Sequence, residues 1–170
     1  MSQPGRAPSY EDLAPMPVVA EAPTLLTRFG ALALDPDRII MFPRGLLGFA
    51  DQHHYVLADI PGHDAAFKHL QSIDDVDLSF VVLPLDRSEG PIAGPDLGAA
   101  RAALAIEDAA LAVLAIVTLR ADAPRVDFTV NLRAPLLIDT GRRLGYQHVL
   151  ANDAYSLRHP LPRADAAHAG

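Results

Sequence analysis

Two runs in this chain are too apolar for strands with a wet face. Leu78-Ser79-Phe80-Val81-Val82-Leu83 has a single polar residue, Ser79, and Ala112–Leu119 has only Thr118. Side chains alternate between the two faces of a strand, so a run that is apolar at nearly every position must be covered on both. Any fold for this chain therefore needs material on both sides of these strands. A membrane span is not the answer, because the longest apolar stretch, Ala109–Leu119, is eleven residues and a spanning helix needs about 20.

The remaining signal is also mostly strand. Thr24–Gly30, Asp37–Phe42 and His54–Asp59 are short β-prone runs bounded by Gly or Pro, the last ended by the turn dipeptide Pro61-Gly62. Val126, Phe128 and Val130 alternate with Asp127 and Thr129. Pro135–Ile138 and Gln147–Leu150 complete the set, joined as a hairpin through the Gly141 and Gly145 region. Alanine-rich Asp96–Ile106 reads as a short helix, and Asp74-Asp75-Val76-Asp77 as a turn. The expected fold is mainly β: a small antiparallel β-barrel-like domain with one or two short helices. Closure is favoured because it removes the edges of so apolar a sheet.

The chain has 170 residues, room for one such domain. Prolines at 4, 8, 15, 17 and 23 break up the start, so residues 1–22 are expected to be a disordered proline-rich tail. The domain is expected over 23–162, and residues 163–170 as a frayed C-terminal tail. The first residues lack the basic start and apolar run of a signal peptide.

Composition removes several chemistries. There is no cysteine, hence no disulfide, thiol catalysis or thiolate metal site. A net charge of −7 gives no general basic face for phosphate contacts, so direct nucleic-acid binding is not expected. No phosphate-binding glycine loop, nucleophile elbow or H-E-x-x-H motif occurs. His53, His54, His63 and His69 lie close in sequence, but neighbours on a strand point to opposite faces, so the pattern suits surface histidines better than a metal site. Asp74, Asp75 and Asp77 suit a solvated turn better than an acid–base pair. No enzyme, metal or cofactor is expected.

The informative segment is Phe42-Pro43-Arg44-Gly45-Leu46-Leu47-Gly48-Phe49. Pro43 presets a turn, the glycines permit positive φ or close approach, and the aromatics can pin both ends to a core. Leu46 and Leu47 then either fold inward or stand exposed, as a partner-binding loop would.

This loop is followed by Leu70-Gln71-Ser72, Leu78–Pro84, Ala115-Ile116-Val117-Thr118, Thr129-Val130-Asn131-Leu132-Arg133-Ala134-Pro135 and Gly145-Tyr146-Gln147-His148-Val149-Leu150. In that order and spacing, over roughly residues 24–160, the set resembles the FliW family of flagellar assembly factors. The resemblance implies a small, mainly β barrel-like domain working in the cytoplasm. It implies two partners: flagellin, through its C-terminal helical region, and a CsrA-type RNA-binding regulator that the factor antagonises, the two exchanging on it. Leu46, Leu47 and Phe49 are the candidates for an apolar contact surface. Gln71, Ser72, Asn131, Arg133 and Gln147 are polar candidates within the matching motifs, although Gln71 and Asn131 also suit a structural role, satisfying backbone groups at strand ends. The proline-rich start and the stretch Arg87–Ala105 depart from the family pattern. The alternative is a generic β-barrel module that holds another peptide or a small ligand.

Overall fold

The structure is a computed structural model that describes residues 22–63, 66–122 and 125–162. The expected tails at 1–22 and 163–170 lie outside the described residues, Ala22 excepted.

Eleven strands and one α-helix are formed among the described residues. They are β1 (Thr24–Thr27), β2 (Gly30–Ala33), β3 (Ile39–Met41), β4 (His54–Asp59), β5 (Lys68–Ser72), β6 (Ser79–Pro84), α1 (Gly94–Ala103), β7 (Leu111–Asp122), β8 (Arg125–Val130), β9 (Leu136–Asp139), β10 (Leu144–Gln147) and β11 (His159–Pro160). The main sheet runs β11-β8-β7-β6-β5-β4-β3-β10-β9, and β9 pairs back onto β7. Seven strands thereby close into a barrel.

Strand β7 makes the closure possible. On one edge Leu114–Ile116 pair with β6. On the other, Leu111–Leu114 pair with β9 and Val117–Asp122 with β8. The even-numbered side chains Leu114 and Ile116 face the barrel interior with Phe42, Tyr55, Leu70 and Val82. The odd-numbered Leu111, Val113, Ala115 and Val117 face outward into a second core under Leu97 and Ala100 of α1, with Leu132 and Leu150. The double burial expected of this run is thus met by two cores on two faces of one strand.

Several elements differ from the sequence expectation, each for a physical reason. Thr24–Gly30 is not one strand but the start of a hairpin, β1–β2, that forms its own two-stranded sheet. It lies against the barrel through Phe29 on the buried His69, ring centroids 4.6 Å apart. Strand β5 is not among the expected strands, because four of its five side chains, Lys68, His69, Gln71 and Ser72, are polar or charged. The last hairpin strand is Leu144–Gln147 rather than Gln147–Leu150. Gln147 pairs with Leu136, so the next partner is Pro135, which accepts from the His148 amide at 3.0 Å but has no N–H to return. The helix ends at Ala103, ahead of Ala105, which takes φ +54°. Nor is the barrel wholly antiparallel: β3 and β10 run parallel and share the single pair Met41–Leu144.

That junction is packed tightly. Gly145 stands directly over the Phe42 ring, where any Cβ would overlap the aromatic carbons. Phe42 is fully buried and meets Tyr55 edge-on at 5.2 Å, so it has nowhere to go. Gly145→Ala is expected to destabilise the fold by about 2–3 kcal/mol through overpacking, measured by urea denaturation against wild type.

Candidate functional site

The Phe42–Phe49 loop leaves β3 and returns toward β4. The Gly45 amide donates to the Phe42 carbonyl at 2.9 Å, and Leu46 and Phe49 bridge through Phe49 N–H to Leu46 O at 2.8 Å. Gly45 takes φ +63°, and a Cβ there would come within 2.5 Å of the Phe49 carbonyl oxygen. The loop therefore turns over its own backbone, as its Pro and Gly spacing suggests. Phe42 anchors one end in the barrel interior, and Phe49 meets Phe80 edge-on at 5.3 Å at the other.

This fold separates the two leucines. Leu46 is 2% exposed and belongs to the interior, so it is not part of a contact surface. Leu47 is 61% exposed and Phe49 40%. Gln147 holds Leu47 in place: its Oε1 accepts the Leu47 amide at 2.8 Å, while its Nε2 donates to the Ala134 carbonyl at 3.3 Å. Gln147 thus positions the exposed apolar residue.

Gln71 and Ser72 are fully buried, so they too are removed from the surface. Their polarity serves the turn that follows. Gln71 Nε2 lies within 3.1 Å of the carbonyls of Ser72, Val76 and Leu78. Ser72 Oγ accepts the Asp75 amide at 3.0 Å and donates to Gln52 Oε1 at 3.2 Å. Asn131 has the strand-end role: its Oδ1 accepts the Ala134 amide at 2.9 Å, at the corner where the chain passes from β8 to β9. Arg133 is half-buried beside it, and its carbonyl accepts the Leu150 amide at 2.9 Å. Of the eight candidates, Leu47 and Phe49 stand exposed, Gln147 joins Leu47, and Leu46, Gln71 and Ser72 lie inside.

Asp74 contributes more than a turn. Its Oδ2 accepts the amides of His53 and His54 at 2.7 and 2.9 Å, and Oδ1 lies 3.1 Å from His54 Nδ1. His53 in turn pairs with Phe42, through the Phe42 amide to the His53 carbonyl at 2.7 Å. The carboxylate therefore braces the end of the loop from below. Partial burial pushes its pKa up, but the amide and imidazole bonds outweigh that and hold it below the ordinary value. Sequence reasoning read only the turn, since nothing local shows which distant amides it accepts.

Among the described residues no three His, Asp or Glu side chains converge as a metal site would require. The Tyr55 hydroxyl is buried and its pKa is pushed up to about 12 by burial and then by Asp74 and Asp75, so it keeps its proton at neutral pH. What the site offers is apolar surface on a rigid loop.

The family model described as FliW protein matches residues 24–161. The chain belongs to the FliW family. Among its relatives, the flagellar assembly factor FliW of Thermoanaerobacter pseudethanolicus is 34% identical over 135 residues, covering 78% of this chain and 88% of that protein. The FliW of an Exiguobacterium species is 38% identical over 135 residues, covering 78% and 90%. A crystal structure of the flagellar assembly factor FliW superposes with a TM-score of 0.63 at 26% identity, covering 84% of this chain and 99% of that one. The mainly β fold expected from the strand pattern is the FliW fold. The match also spans Arg87–Ala105, where the motif pattern is weakest. No helix among the described residues is long and apolar enough to cross a membrane.

Two substitutions test the bracing. Gln71→Leu keeps the volume but takes the Nε2 donor from the turn carbonyls, of which only Leu78 keeps a second donor, the Ser72 amide, and is expected to cost about 2–3 kcal/mol in denaturant unfolding. For Asp74, a lowered folded-state pKa means stability that is present above the ordinary carboxylate value and lost as pH falls through the folded value. Asp74→Asn is therefore expected to lower stability by about 1 kcal/mol at pH 7, the gap to wild type closing as unfolding is measured toward pH 2.

Proposed function

We propose that this protein binds flagellin in the cytoplasm before export and antagonises a CsrA-type translational regulator, the two partners exchanging on it. Membership of a family of flagellar assembly factors is the observation that carries this reading. Its physical support is the loop. Flagellin's terminal helices are amphipathic and unpaired before assembly, and an exposed apolar contact covers such a stripe. Leu47 and Phe49 offer one on a backbone already ordered by Gly45 and Gln147, so little entropy is lost on binding. The −7 charge would draw in a basic RNA-binding regulator through its long-range field. Exchange then follows from mass action: flagellin that accumulates occupies the factor and leaves the regulator free, and exported flagellin does the reverse.

The alternative, a barrel that encloses a small ligand, has less support. The interior is filled by Phe42, Tyr55, Leu70, Val82 and Leu136, all fully buried.

Calorimetric titration with flagellin from the same genome is the test. Saturable 1:1 binding is expected, lost when flagellin's C-terminal helical segment is deleted and weakened about tenfold or more by Leu47→Asp. A folded pair that shows no heat of binding at tens of micromolar would overturn the reading.

A further inference from the structure

The β7–β8 arm carries a second apolar surface. Beyond the barrel, Val117, Leu119 and Ala121 pair with Val130, Phe128 and Val126. Directly opposed residues of an antiparallel pair share a face, and so do residues two apart. These six therefore make one face, while Thr118 and Arg120 with Thr129 and Asp127 make the other. Val117 and Val130 are buried in the outer core. Leu119 and Phe128, next along the same face, are 58% and 38% exposed, and Val126 is 45% exposed. The apolar face of the core thus runs out into solvent, and among the described residues no polar side chain ends it. The polar face has the ordinary composition of a wetted strand surface, with Arg120 opposite Asp127. Phe128 stacks on Phe67 with ring centroids 5.9 Å apart, which fixes the exposed face against the body of the barrel.

Geometry narrows what this face accepts. Strand addition beside it is blocked where β11 already pairs with Val130 and Thr129 and the Leu161 amide donates to the Phe128 carbonyl at 3.0 Å. A partner must therefore approach the face and pack on its side chains. Its exposed residues are Leu119, Ala121, Val126 and Phe128, against roughly 20–30 residues a side in a stable dimer, so a second copy of this chain is a poor occupant. Two strands span about 10 Å with their side chains, and the pairs Leu119–Phe128 and Ala121–Val126 lie about 7 Å apart along them. One α-helix is about 10 Å across, and its i, i+4 and i+7 residues cover about 10 Å.

We propose that this face of the β7–β8 arm seats one amphipathic helix of a partner protein, its apolar stripe across Leu119 and Phe128 and its polar side to solvent. It is a second point of contact, in addition to the Leu47 loop. The proposal deepens the flagellin reading and rests on it for the partner's name, not for the geometry.

The test titrates wild type, Leu119→Glu, Ala121→Glu and the control Leu26→Glu with flagellin, with each variant's folding checked by circular dichroism. Leu26 is 76% exposed on the separate β1–β2 sheet. Both arm variants are expected to weaken binding about thirtyfold and the control to leave it unchanged. Arm variants that bind as wild type does would overturn the proposal while leaving the flagellin reading intact. If wild type does not bind flagellin, that reading fails, and the arm is decided by NMR titration with a Leu/Lys amphipathic helical peptide of about 18 residues. Amide shifts confined to 117–121 and 126–130 would then support the seat, and shifts elsewhere or none would overturn it. A concentration-dependent dimer that Leu119→Glu dissociates would also overturn it, in favour of a second copy.

Discussion

From Leu111 to Val117 strand β7 has no exposed side chain, and most of the architecture answers to that. A strand so placed needs a layer on each face and a partner on each edge. The interior supplies one layer, and α1 with the segment after β10 supplies the other. Each buried Val or Leu contributes about 1.5–3 kcal/mol, so the outer layer is as much a part of the core as the inner one. Its fastening is specific. The Tyr155 hydroxyl donates to Asp96 at 2.6 Å and accepts the Ala93 amide at 2.9 Å, tying the C-terminal segment to the start of a helix that has no side-chain cap of its own.

The strands that bury apolar residues on both faces were legible because composition alone excludes a wet face. The regular alternation of β8 was legible too, although only its Val130 end lies in the core. Strand β5 was hidden. His69, Gln71 and Ser72 look like a loop, yet all three are buried, because Gln71 and Ser72 spend their hydrogen bonds on the adjacent turn and His69 lies under Phe29. Polarity in a sequence does not say whether water or a nearby carbonyl will be the partner.

The Phe42–Phe49 loop shows the same limit at finer scale. Leu46 and Leu47 are chemically identical neighbours, and the aromatic and glycine spacing locates the loop that holds them. Which of the two turns outward depends on the positive φ at Gly45 and on Gln147, a hundred residues away, receiving the Leu47 amide. Long-range hydrogen bonds of this kind leave no local trace. The motif as a whole was recognisable nevertheless, since the spacing of its elements reflects closure of the same barrel.

The junction of β3 with β10 gives that barrel a weak line. Its other closing pairs are ladders of three or more residues, whereas this one has a single residue pair and the Met41 amide bonded to Arg143 at 2.9 Å. With so short a ladder, the seam depends on the packing of buried Phe42 under Gly145 more than on backbone bonds. The Leu47 loop is tied to both lips of the seam, since Phe42 continues β3 and Gln147 ends β10. Any opening of the seam would therefore also displace the Leu47 loop. Anything that fixed Leu47 in place would also hold the two lips of the seam together.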